Sequence, residues 1–179
     1  MAGRAGACWG WHRLDDRWSA RLVAESAVQP GELVLDIGAG TGGLTAALLD
    51  AGATVVAVEL HPGRASVLRS RFDGSGVTVV QADAAELRLP RRRFRVVANP
   101  PFAICKPVLK RLLAPGSRLV AADLVVPRHV AAEWTSARAP GRGRWSPTFA
   151  AARGRSVPSS AFIPRAPKDA VVLVVRRRA

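Results

Sequence analysis

The stretch Asp36-Ile-Gly-Ala-Gly-Thr-Gly42 decides the fold of this chain, because it joins two segments of different periodicity. The apolar run Leu33–Ile37 leads into it and predicts a buried strand, and Leu44–Ala51 follows it and predicts a helix. From Gly38 onwards the turn has the pattern G-x-G-x-x-G, which between a strand and a helix is typical of a nucleotide-binding turn. The pattern is shared by several classes of nucleotide-binding protein and does not choose between them.

Outward from this turn, apolar runs rich in β-branched residues alternate with amphipathic segments. Such an alternation predicts a parallel sheet that is covered by helices on both faces. Further strands are predicted at Thr54–Glu59, Val77–Gln81, Phe94–Ala98 and Leu119–Val126. Further helices are predicted at Arg17–Ser26, Arg64–Phe72, Val108–Leu113 and His129–Ala137. The sequence therefore predicts a doubly wound, mostly parallel α/β domain of the Rossmann-like type.

The tail of the chain departs from this alternation. Ala139–Arg155 is rich in Arg, Gly, Pro and Ser, and this composition predicts a basic, mobile loop. Val157–Pro167 and Ala170–Arg176 predict a final antiparallel strand pair. We therefore divide the chain into an N-terminal segment, residues 1–29, and one α/β domain, residues 30–179.

The composition is strongly basic. The 179 residues include 27 Lys and Arg against 13 Asp and Glu, which gives a formal net charge of +14. Such an excess favours a polyanionic partner, of which nucleic acid is the usual one. A general abundance of Arg in the proteome is the alternative explanation, and the high Ala, Gly, Val and Arg content agrees with it. That abundance does not account for the shortage of acids.

Other classes of protein are disfavoured by what the sequence lacks. Cys8 and Cys105 stand far apart, which indicates neither a disulfide framework nor a metal motif. His12, His61 and His129 do not have metal-ligand spacing, so no metal site is expected. No run approaches ~20 apolar residues, so no membrane span is expected. Because the N-terminus does not resemble a secretory signal, the protein is expected in the cytoplasm.

Three acids, Asp36, Glu59 and Asp83, lie at the ends of successive predicted strands. The carboxyl ends of parallel strands form the edge at which open α/β sheets bind ligands. A carboxylate at Asp36 repels pyrophosphate but attracts the ammonium group of S-adenosylmethionine, Glu59 can accept the ribose hydroxyls, and Asp83 can accept the adenine amino group. Each acid could instead cap the helix that follows it. All three in chain order favour S-adenosylmethionine as the cofactor.

The tetrapeptide Asn99-Pro-Pro-Phe102 directly follows a predicted strand at the same edge. An aromatic amine is a poor nucleophile, because its lone pair is delocalised into the ring. The side-chain oxygen of Asn99 and the carbonyl of Pro100 can accept its hydrogen bonds and aim the lone pair at a methyl donor, and Phe102 can stack on the base. The alternative is a simple turn with a core Phe. Beside the glycine-rich turn, catalytic roles for Asn99, Pro100 and Phe102 in N-methylation are the better interpretation.

With these motifs in place, the chain resembles the ribosomal RNA adenine N6-methyltransferases, which include the Erm resistance enzymes and the small-subunit dimethyladenosine transferases. The resemblance runs from about Trp11 to Arg178, and it includes a closing motif at Phe162-Ile-Pro-Arg-Ala-Pro-Lys-Asp-Ala-Val-Val-Leu173. It implies a class I S-adenosylmethionine-dependent methyltransferase fold in which residues 1–29 cover the cofactor. It implies that Phe102 and Phe162 contact the target base, and that the cofactor is bound by His12, Leu14, Asp36, Gly38, Gly40, Glu59, Leu60, Asp83, Ala84 and Asn99.

The short, Trp-rich entrance Trp9-Gly-Trp-His-Arg-Leu14 is similar to the compact Erm enzymes of actinobacteria and mycobacteria. This similarity implies an enzyme that acts on 23S rRNA or on a ribosomal assembly intermediate. It also implies macrolide–lincosamide–streptogramin resistance as the outcome. The protein is expected to be a monomer.

Two departures from the family bear on RNA and cofactor binding. Of the N-terminal Gln-Asn/His-Phe-Leu signature, only His12 and Leu14 are present. The helical C-terminal domain with which the family helps to hold RNA is expected to be absent. Selection of RNA is then expected to rest on Arg142 and Arg144, within a larger set of basic residues that comprises Arg91–Arg93, Arg138, Arg153, Arg155 and Arg176–Arg178.

Several alternatives stay open from the sequence. The chain could be a small-subunit rRNA adenine dimethyltransferase, a DNA-adenine or protein-glutamine N-methyltransferase, or a non-catalytic RNA-binding assembly factor that retains the fold. The basic charge and the closing motif argue against DNA and protein substrates. The intact Asn99-Pro-Pro-Phe102 argues against loss of turnover.

Overall fold

The computed structural model describes residues 12–179. The expectations for Cys8 and for the Trp9–Trp11 part of the entrance lie outside the described residues. The elements have these bounds: β1 Arg13–Leu14, α1 Asp16–Ser26, β2 Leu33–Ile37, α2 Gly43–Asp50, β3 Thr54–Glu59, α3 Pro62–Arg71, β4 Thr78–Gln81, β5 Phe94–Ala98, α4 Cys105–Leu112, β6 Leu119–Pro127, α5 Arg128–Thr135, α6 Arg142–Trp145, β7 Phe149–Val157, β8 Phe162–Ile163 and β9 Ala170–Arg177.

Seven of the strands form one sheet in the order β4-β3-β2-β5-β6-β9-β7. The first five in this order are parallel, whereas β9 lies antiparallel between β6 and β7. The direction in which strands are added reverses between β2 and β5, and at such a switch point open α/β sheets bind their ligands. The predicted doubly wound, mostly parallel sheet is confirmed.

The core lies on both faces of the sheet. β2 is buried along its whole length, which explains its unbroken apolar run. Side chains of α1, α2 and α3 pack on one face, and those of α4 and α5 pack on the other. None of the helices in residues 12–179 is long and apolar enough to cross a membrane.

The strands and helices predicted between residues 17 and 137 are all present, with small shifts at their ends. β2, β3 and β5 have the predicted bounds. α1 begins one residue earlier than predicted, because Asp15 caps it by accepting a hydrogen bond from the N–H of Trp18 at 2.7 Å. α4 begins three residues earlier, at Cys105, because a single 3₁₀ turn at Phe102–Ile104 leads directly into it.

The prediction of a mobile loop at Ala139–Arg155 was wrong, because this segment contains α6 and most of β7. Trp145 of α6 is buried, its ring centroid lies 6.1 Å from that of Trp134, and its Nε1 donates a hydrogen bond to the carbonyl of Pro140. β7 pairs with β9 along its length and forms the edge of the sheet. A solvent-facing edge strand tolerates the Arg, Gly and Ser residues that suggested a loop.

The prediction of a strand at Val157–Pro167 was also wrong. After β7 the chain makes a 3₁₀ turn at Ser159–Ala161 and then forms the two-residue strand β8. β8 leaves the main sheet and pairs with β1 in antiparallel register. Because Pro158, Pro164 and Pro167 cannot donate backbone hydrogen bonds, a long ladder is excluded here. The final antiparallel pair is therefore formed by β7 and β9.

Candidate active site

The glycine-rich turn and the Asn-Pro-Pro turn meet at the switch point of the sheet. Gly38 follows β2 and has a φ of 77°, a left-handed conformation that favours glycine. A Cβ on Gly38 would lie 2.8 Å from Cδ of Pro101 and 3.3 Å from Cα of Pro100. The absence of a side chain at Gly38 therefore allows the two turns to pack directly against each other.

Asp36, near the carboxyl end of β2, is a buried carboxyl group. It is 1% exposed, and its Oδ2 accepts a hydrogen bond from Oγ1 of Thr45 at 2.7 Å. Burial raises the pKa of Asp36 to about 7, with a further contribution from the negative charge of Glu59, although the bond from Thr45 opposes the rise. Within residues 12–179 no Lys or Arg forms an ion pair with this carboxyl group. A cationic ligand is what this environment fits.

A small cavity of about 20 Å³ adjoins Asp36. Oγ of Ser19 is buried in residues 12–179 without a hydrogen-bond partner. A carboxyl group and an unsatisfied hydroxyl at one cavity fit the amino-acid end of S-adenosylmethionine. The residues at the cavity are therefore compatible with the expected cofactor. The full lining comprises Arg13, Leu14, Ser19, Asp36, Gly38, Ala39, Thr41, Gly43, Leu44 and Asn99.

Glu59 at the end of β3 connects that strand to the glycine-rich turn. Its carboxylate is 4% exposed and accepts hydrogen bonds from the N–H of Gly40 at 2.9 Å, from the N–H of His61 at 2.8 Å and from Arg64 at 3.0 Å. A carboxylate offers about four lone-pair sites. A pair of ribose hydroxyls must therefore displace at least one of these three donors.

The end of β4 supplies the third expected acid. Asp83 is exposed, and its Oδ1 accepts a hydrogen bond from the N–H of Ala85 at 2.8 Å, so Oδ2 is left for a ligand. Ala84 is buried, whereas Leu60 after β3 is 40% exposed, an unusual state for a large apolar side chain. Asp36, Glu59 and Asp83 thus lie at the carboxyl ends of three neighbouring strands, as predicted from the sequence.

Asn99 is oriented by the N-terminal segment. Its Nδ2 donates a hydrogen bond to the carbonyl of His12 at 2.7 Å, which leaves Oδ1 as an acceptor. The carbonyl of Pro101 accepts a hydrogen bond from the N–H of Ile104 at 3.0 Å, whereas that of Pro100 accepts none within residues 12–179. The turn therefore presents two acceptors, Oδ1 of Asn99 and the carbonyl of Pro100.

The two aromatic rings expected at the target base lie together. Phe102 is half-buried, and its ring centroid lies 6.3 Å from that of Phe162 at an interplanar angle of 85°. Phe162 itself is only 2% exposed. Phe102 therefore offers the accessible ring, and Phe162 supports it edge-on. Contact of Phe162 with a base requires the two rings to separate.

The N-terminal segment is tied to the tail beside Asn99. His12 Nδ1 lies 2.9 Å from the carbonyl oxygen of Pro164, and β1 pairs with β8 next to it. Leu14 is buried in the core that lies beneath α1 and α2. Of the two signature residues expected to bind the cofactor, Leu14 lines the small cavity, whereas His12 acts on the site through its carbonyl bond to Asn99.

Three residues at the cavity were not found from the sequence. Thr45 holds Asp36, and Ser19 and Arg13 line the cavity. A signal for Thr45 exists, because it is a polar residue on the apolar face of a predicted helix, between Leu44 and Leu48. Arg13 occupies the position at which the family signature has Phe, so the motif gave no reason to expect an arginine at this cavity.

The remaining site residues lie apart from this cluster. Arg142 donates a hydrogen bond to the carbonyl of Ser136 at 3.2 Å, and Arg144 lines a different cavity beside Phe149, where β7 begins. Neither residue lines the cavity at Asp36. Within residues 12–179 no group of three His, Cys, Asp and Glu side chains could hold a metal ion.

Comparison with known proteins identifies relatives in sequence. The small-subunit rRNA methyltransferase A of Mycobacterium tuberculosis is 43% identical in an alignment of 111 residues that covers 56% of this chain and 35% of that protein. The protein of the same name from Thermosynechococcus vestitus is 42% identical over 95 residues, 52% of this chain and 36% of that protein. The matches thus span about a third of the length of these curated relatives.

Solved structures have the same fold over nearly all of this chain. The 23S rRNA methyltransferase ErmE superposes with a TM-score of 0.81 at 27% identity, over 94% of this chain and 70% of that one. A dimethyladenosine transferase from Plasmodium falciparum superposes with a TM-score of 0.76 at 23% identity, over 93% and 64%. The likeness to the second protein concerns the fold alone.

A family model described as ribosomal RNA adenine dimethylase matches residues 14–179. This match covers every residue that lines the cavity at Asp36 except Arg13, together with the Asn-Pro-Pro turn and the closing motif. It also agrees with S-adenosylmethionine as the cofactor and with the class I methyltransferase fold. The chain therefore belongs to the ribosomal RNA adenine dimethylase family of methyltransferases.

Proposed function

We propose that this protein transfers a methyl group from S-adenosylmethionine to N6 of an adenine in ribosomal RNA. The observation that carries the proposal is the orientation of Asn99. Its amide nitrogen is engaged by the carbonyl of His12, so its oxygen and the carbonyl of Pro100 are the two acceptors at the switch point. Two acceptors are what an exocyclic NH₂ group with two N–H bonds requires.

The chemistry follows from these acceptors. Two hydrogen bonds from the amine, one to Asn99 and one to Pro100, draw electron density onto nitrogen and favour tetrahedral geometry over conjugation with the ring. The prolines at 100 and 101 restrict φ, so the carbonyl of Pro100 is held in place before the substrate arrives. S-adenosylmethionine, when bound, supplies an electrophilic methyl group on a sulfonium. Once the nitrogen takes the methyl group and the sulfonium becomes a neutral thioether, the nitrogen is positively charged and acidic enough to lose a proton to solvent, so the site needs no strong base.

Cofactor binding is assigned to the acidic edge of the site. Asp36 and Ser19 fit the charged amino-acid end of the cofactor, and Glu59 fits its ribose. Asp83 and the exposed side chain of Leu60 fit the adenine, one by hydrogen bonding and the other by apolar contact. Phe102 is left to stack on the target base, for which its half-buried ring is suited.

Two candidate RNAs follow from the relatives. The similarity to ErmE over 94% of this chain supports 23S rRNA as the substrate and macrolide–lincosamide–streptogramin resistance as its consequence. The higher identity to small-subunit methyltransferases, 43% over a shorter stretch, favours small-subunit rRNA as the second candidate. The monomeric state and the cytoplasmic location stay predictions.

Methyl transfer from tritiated S-adenosylmethionine tests the proposal. Purified 16S rRNA, 23S rRNA, duplex DNA and total protein serve as acceptors, and Asn99→Ala serves as the inactive control. We expect label in one rRNA, at N6 of adenine by mass mapping. If the product is dimethylated it can no longer pair, and primer extension on RNA from cells that carry the gene should then stop at the same nucleotide. Label in DNA or protein, or equal labelling by the Asn99→Ala variant, contradicts the proposal.

A further inference from the structure

A second group of cavities lies at the edge of the sheet opposite to Asn99. One has a volume of about 500 Å³ and the other of about 530 Å³, and they share the loop Ala114–Arg118 that precedes β6. The first also contacts Phe149, where β7 begins, and Arg177, where β9 ends. All these positions lie at the edge of the sheet where the parallel strands begin. Asn99 lies at the opposite edge, directly after the carboxyl end of β5.

All the charged side chains that line these two cavities are basic. The linings contain no Asp or Glu side chain, and their six arginines are Arg91, Arg93, Arg111, Arg118, Arg144 and Arg177. The ion pairs within residues 12–179 engage other basic residues, so none of these six has a carboxylate partner. We call this surface, defined by the six arginines and the loop Ala114–Arg118, the amino-edge surface.

Two of the six arginines are immobilised without a counter-ion, one on each side of the loop. Arg177 donates to the carbonyls of Leu119 and Ser117, and its guanidinium lies 4.8 Å from the ring centroid of Phe149. Arg111 donates to three consecutive carbonyls, those of Ala85, Glu86 and Leu87. Carbonyls orient a guanidinium but do not neutralise it, so two partly buried positive charges are held in place for an anion.

The geometry of the surface indicates what kind of anion it fits. Two adjoining cavities with fixed arginines on both sides of a loop suit repeated phosphates rather than a single small anion. β5 has five residues, so the amino-edge surface lies roughly 17 Å from Asn99 along the strand. The phosphates that it binds therefore belong to a part of the RNA other than the nucleotide in the site.

We propose that the amino-edge surface binds the sugar-phosphate backbone of ribosomal RNA, as a second contact remote from the methylated adenine. The inference rests on the proposed function for the identity of the RNA. Phosphate contacts of this kind supply affinity and position but carry no sequence information. The adenine is chosen at Asn99 and Phe102, and the amino-edge surface holds the rest of the RNA against the enzyme.

The test compares two double variants of equal charge. Arg93→Gln/Arg118→Gln removes two exposed arginines of the amino-edge surface, and Arg118 lines both cavities. Arg17→Gln/Arg69→Gln removes two exposed arginines of α1 and α3 that also form no ion pair within residues 12–179. Affinity for 16S and 23S transcripts is measured without cofactor over a series of salt concentrations, and thermal unfolding checks that both variants fold.

We expect the amino-edge variant to bind RNA on the order of tenfold more weakly near 0.1 M salt. The slope of log affinity against log salt should also become shallower by about 1.4–1.8, because two phosphate contacts are lost and each contributes roughly 0.7–0.9. The variant on α1 and α3 should keep the slope. Arg93→Lys/Arg118→Lys should restore most of the slope, because counterion release depends on charge. Equal losses in both double variants, or an unchanged slope in the amino-edge variant, overturn the proposal.

A second readout separates this proposal from the proposed function. Methyl transfer to a short hairpin that carries the target adenine should proceed at the wild-type rate in the amino-edge variant, because the hairpin is too short to reach the surface. Binding needs no turnover. If the wild-type protein binds RNA through this surface but methylates none, only the proposed function is contradicted. If methylation is normal and the salt slope of the amino-edge variant is unchanged, only the proposal for the amino-edge surface is contradicted.

Discussion

At the carboxyl edge of the sheet, the side chains that end three neighbouring strands are acids, whereas at the amino edge two cavities are lined by six arginines and no acid. One of these acids, Asp36, is buried and forms no ion pair with a Lys or Arg within residues 12–179. The arginines lack anions, and two of them are fixed by carbonyls. The two edges are thus suited to ligands of opposite charge, a sulfonium cofactor at one and a polyanion at the other.

This separation has a functional consequence. The acids repel the phosphates of an RNA whose target adenine enters beside Asn99, and a cationic cofactor gains nothing from the arginines. With the charges on opposite edges, the net charge of +14 can attract RNA without weakening cofactor binding. Variants at one edge are therefore expected to change the rate or cofactor affinity, and variants at the other to change RNA affinity and its salt dependence.

The largest effect is expected from Asn99→Ala. Loss of one of two acceptors aimed at the amine should lower the rate of methyl transfer on the order of 10²–10³-fold, as for other preorganised hydrogen bonds in a transition state. Cofactor affinity and the salt slope for RNA should change little. Single-turnover transfer, calorimetry and RNA binding give the three quantities. A variant with a steeply altered salt slope would show that the two edges are not independent.

The next largest effect is expected from Gly38→Ala. The added Cβ meets the ring of Pro101 at 2.8 Å, and the backbone is left-handed, so strain and displacement of the Asn-Pro-Pro turn should together cost roughly 1–3 kcal/mol. Gly31→Ala is the matched control, because Gly31 has a φ of 81° but open space around its Cβ. Cofactor affinity and rate should fall for Gly38→Ala only. Equal losses in both variants would mean that backbone strain, not close approach, is what matters.

How well each region could be predicted depends on how local its determinants are. β2, β3 and β5 are buried apolar runs beside amphipathic helices, so their sequences alone indicate their structure. β7 is an edge strand whose Arg and Gly residues read as a loop, and only its pairing with β9 defines it. β8 exists because β1, at the other end of the described chain, pairs with it.

The site divides in the same way. Acids at the ends of strands and the Asn-Pro-Pro turn are visible in the sequence, because parallel strands bring their carboxyl ends to one edge. Thr45 is visible in the sequence as a polar residue on an apolar helix face, but packing decides that its partner is Asp36 and that Ser19 lies at the same cavity. The amino-edge surface likewise combines residues from five separate segments.

A comparable effect is expected from Glu59→Ala. The variant leaves the N–H of Gly40 without its acceptor and removes the group assigned to the ribose, so cofactor affinity should fall by about 1–3 kcal/mol. Glu59→Gln keeps one acceptor and should lose less. Glu86→Ala, an exposed acid after β4, is the control and should bind as the wild type does. Calorimetry measures all three, and an unchanged affinity in Glu59→Ala would remove Glu59 from the cofactor site.

The last effect concerns pH and Asp36. Its pKa is raised to about 7 in the folded protein, against about 3.9 for an unfolded Asp. Between these values the folded protein retains a proton that the unfolded chain has released, so this group's contribution to stability is complete below about pH 4 and is lost as pH rises towards 7. Asp36→Asn keeps an acceptor for Thr45 but has no proton to lose.

The free energy of unfolding, measured in urea at several pH values between 4 and 8, should therefore fall more steeply with pH for the wild type than for Asp36→Asn, by at most about 1.4 kcal/mol per pH unit. Bound cofactor should make the pH dependence of the wild type more like that of Asp36→Asn. The reason is that the ammonium group of the cofactor favours the ionised carboxyl group, so binding releases a proton. Calorimetry in two buffers of different ionisation enthalpy counts that proton. Identical pH profiles for the two proteins would show that Asp36 is already ionised in the fold, and the acidic edge would then bind a cation through charge that is present before the ligand arrives.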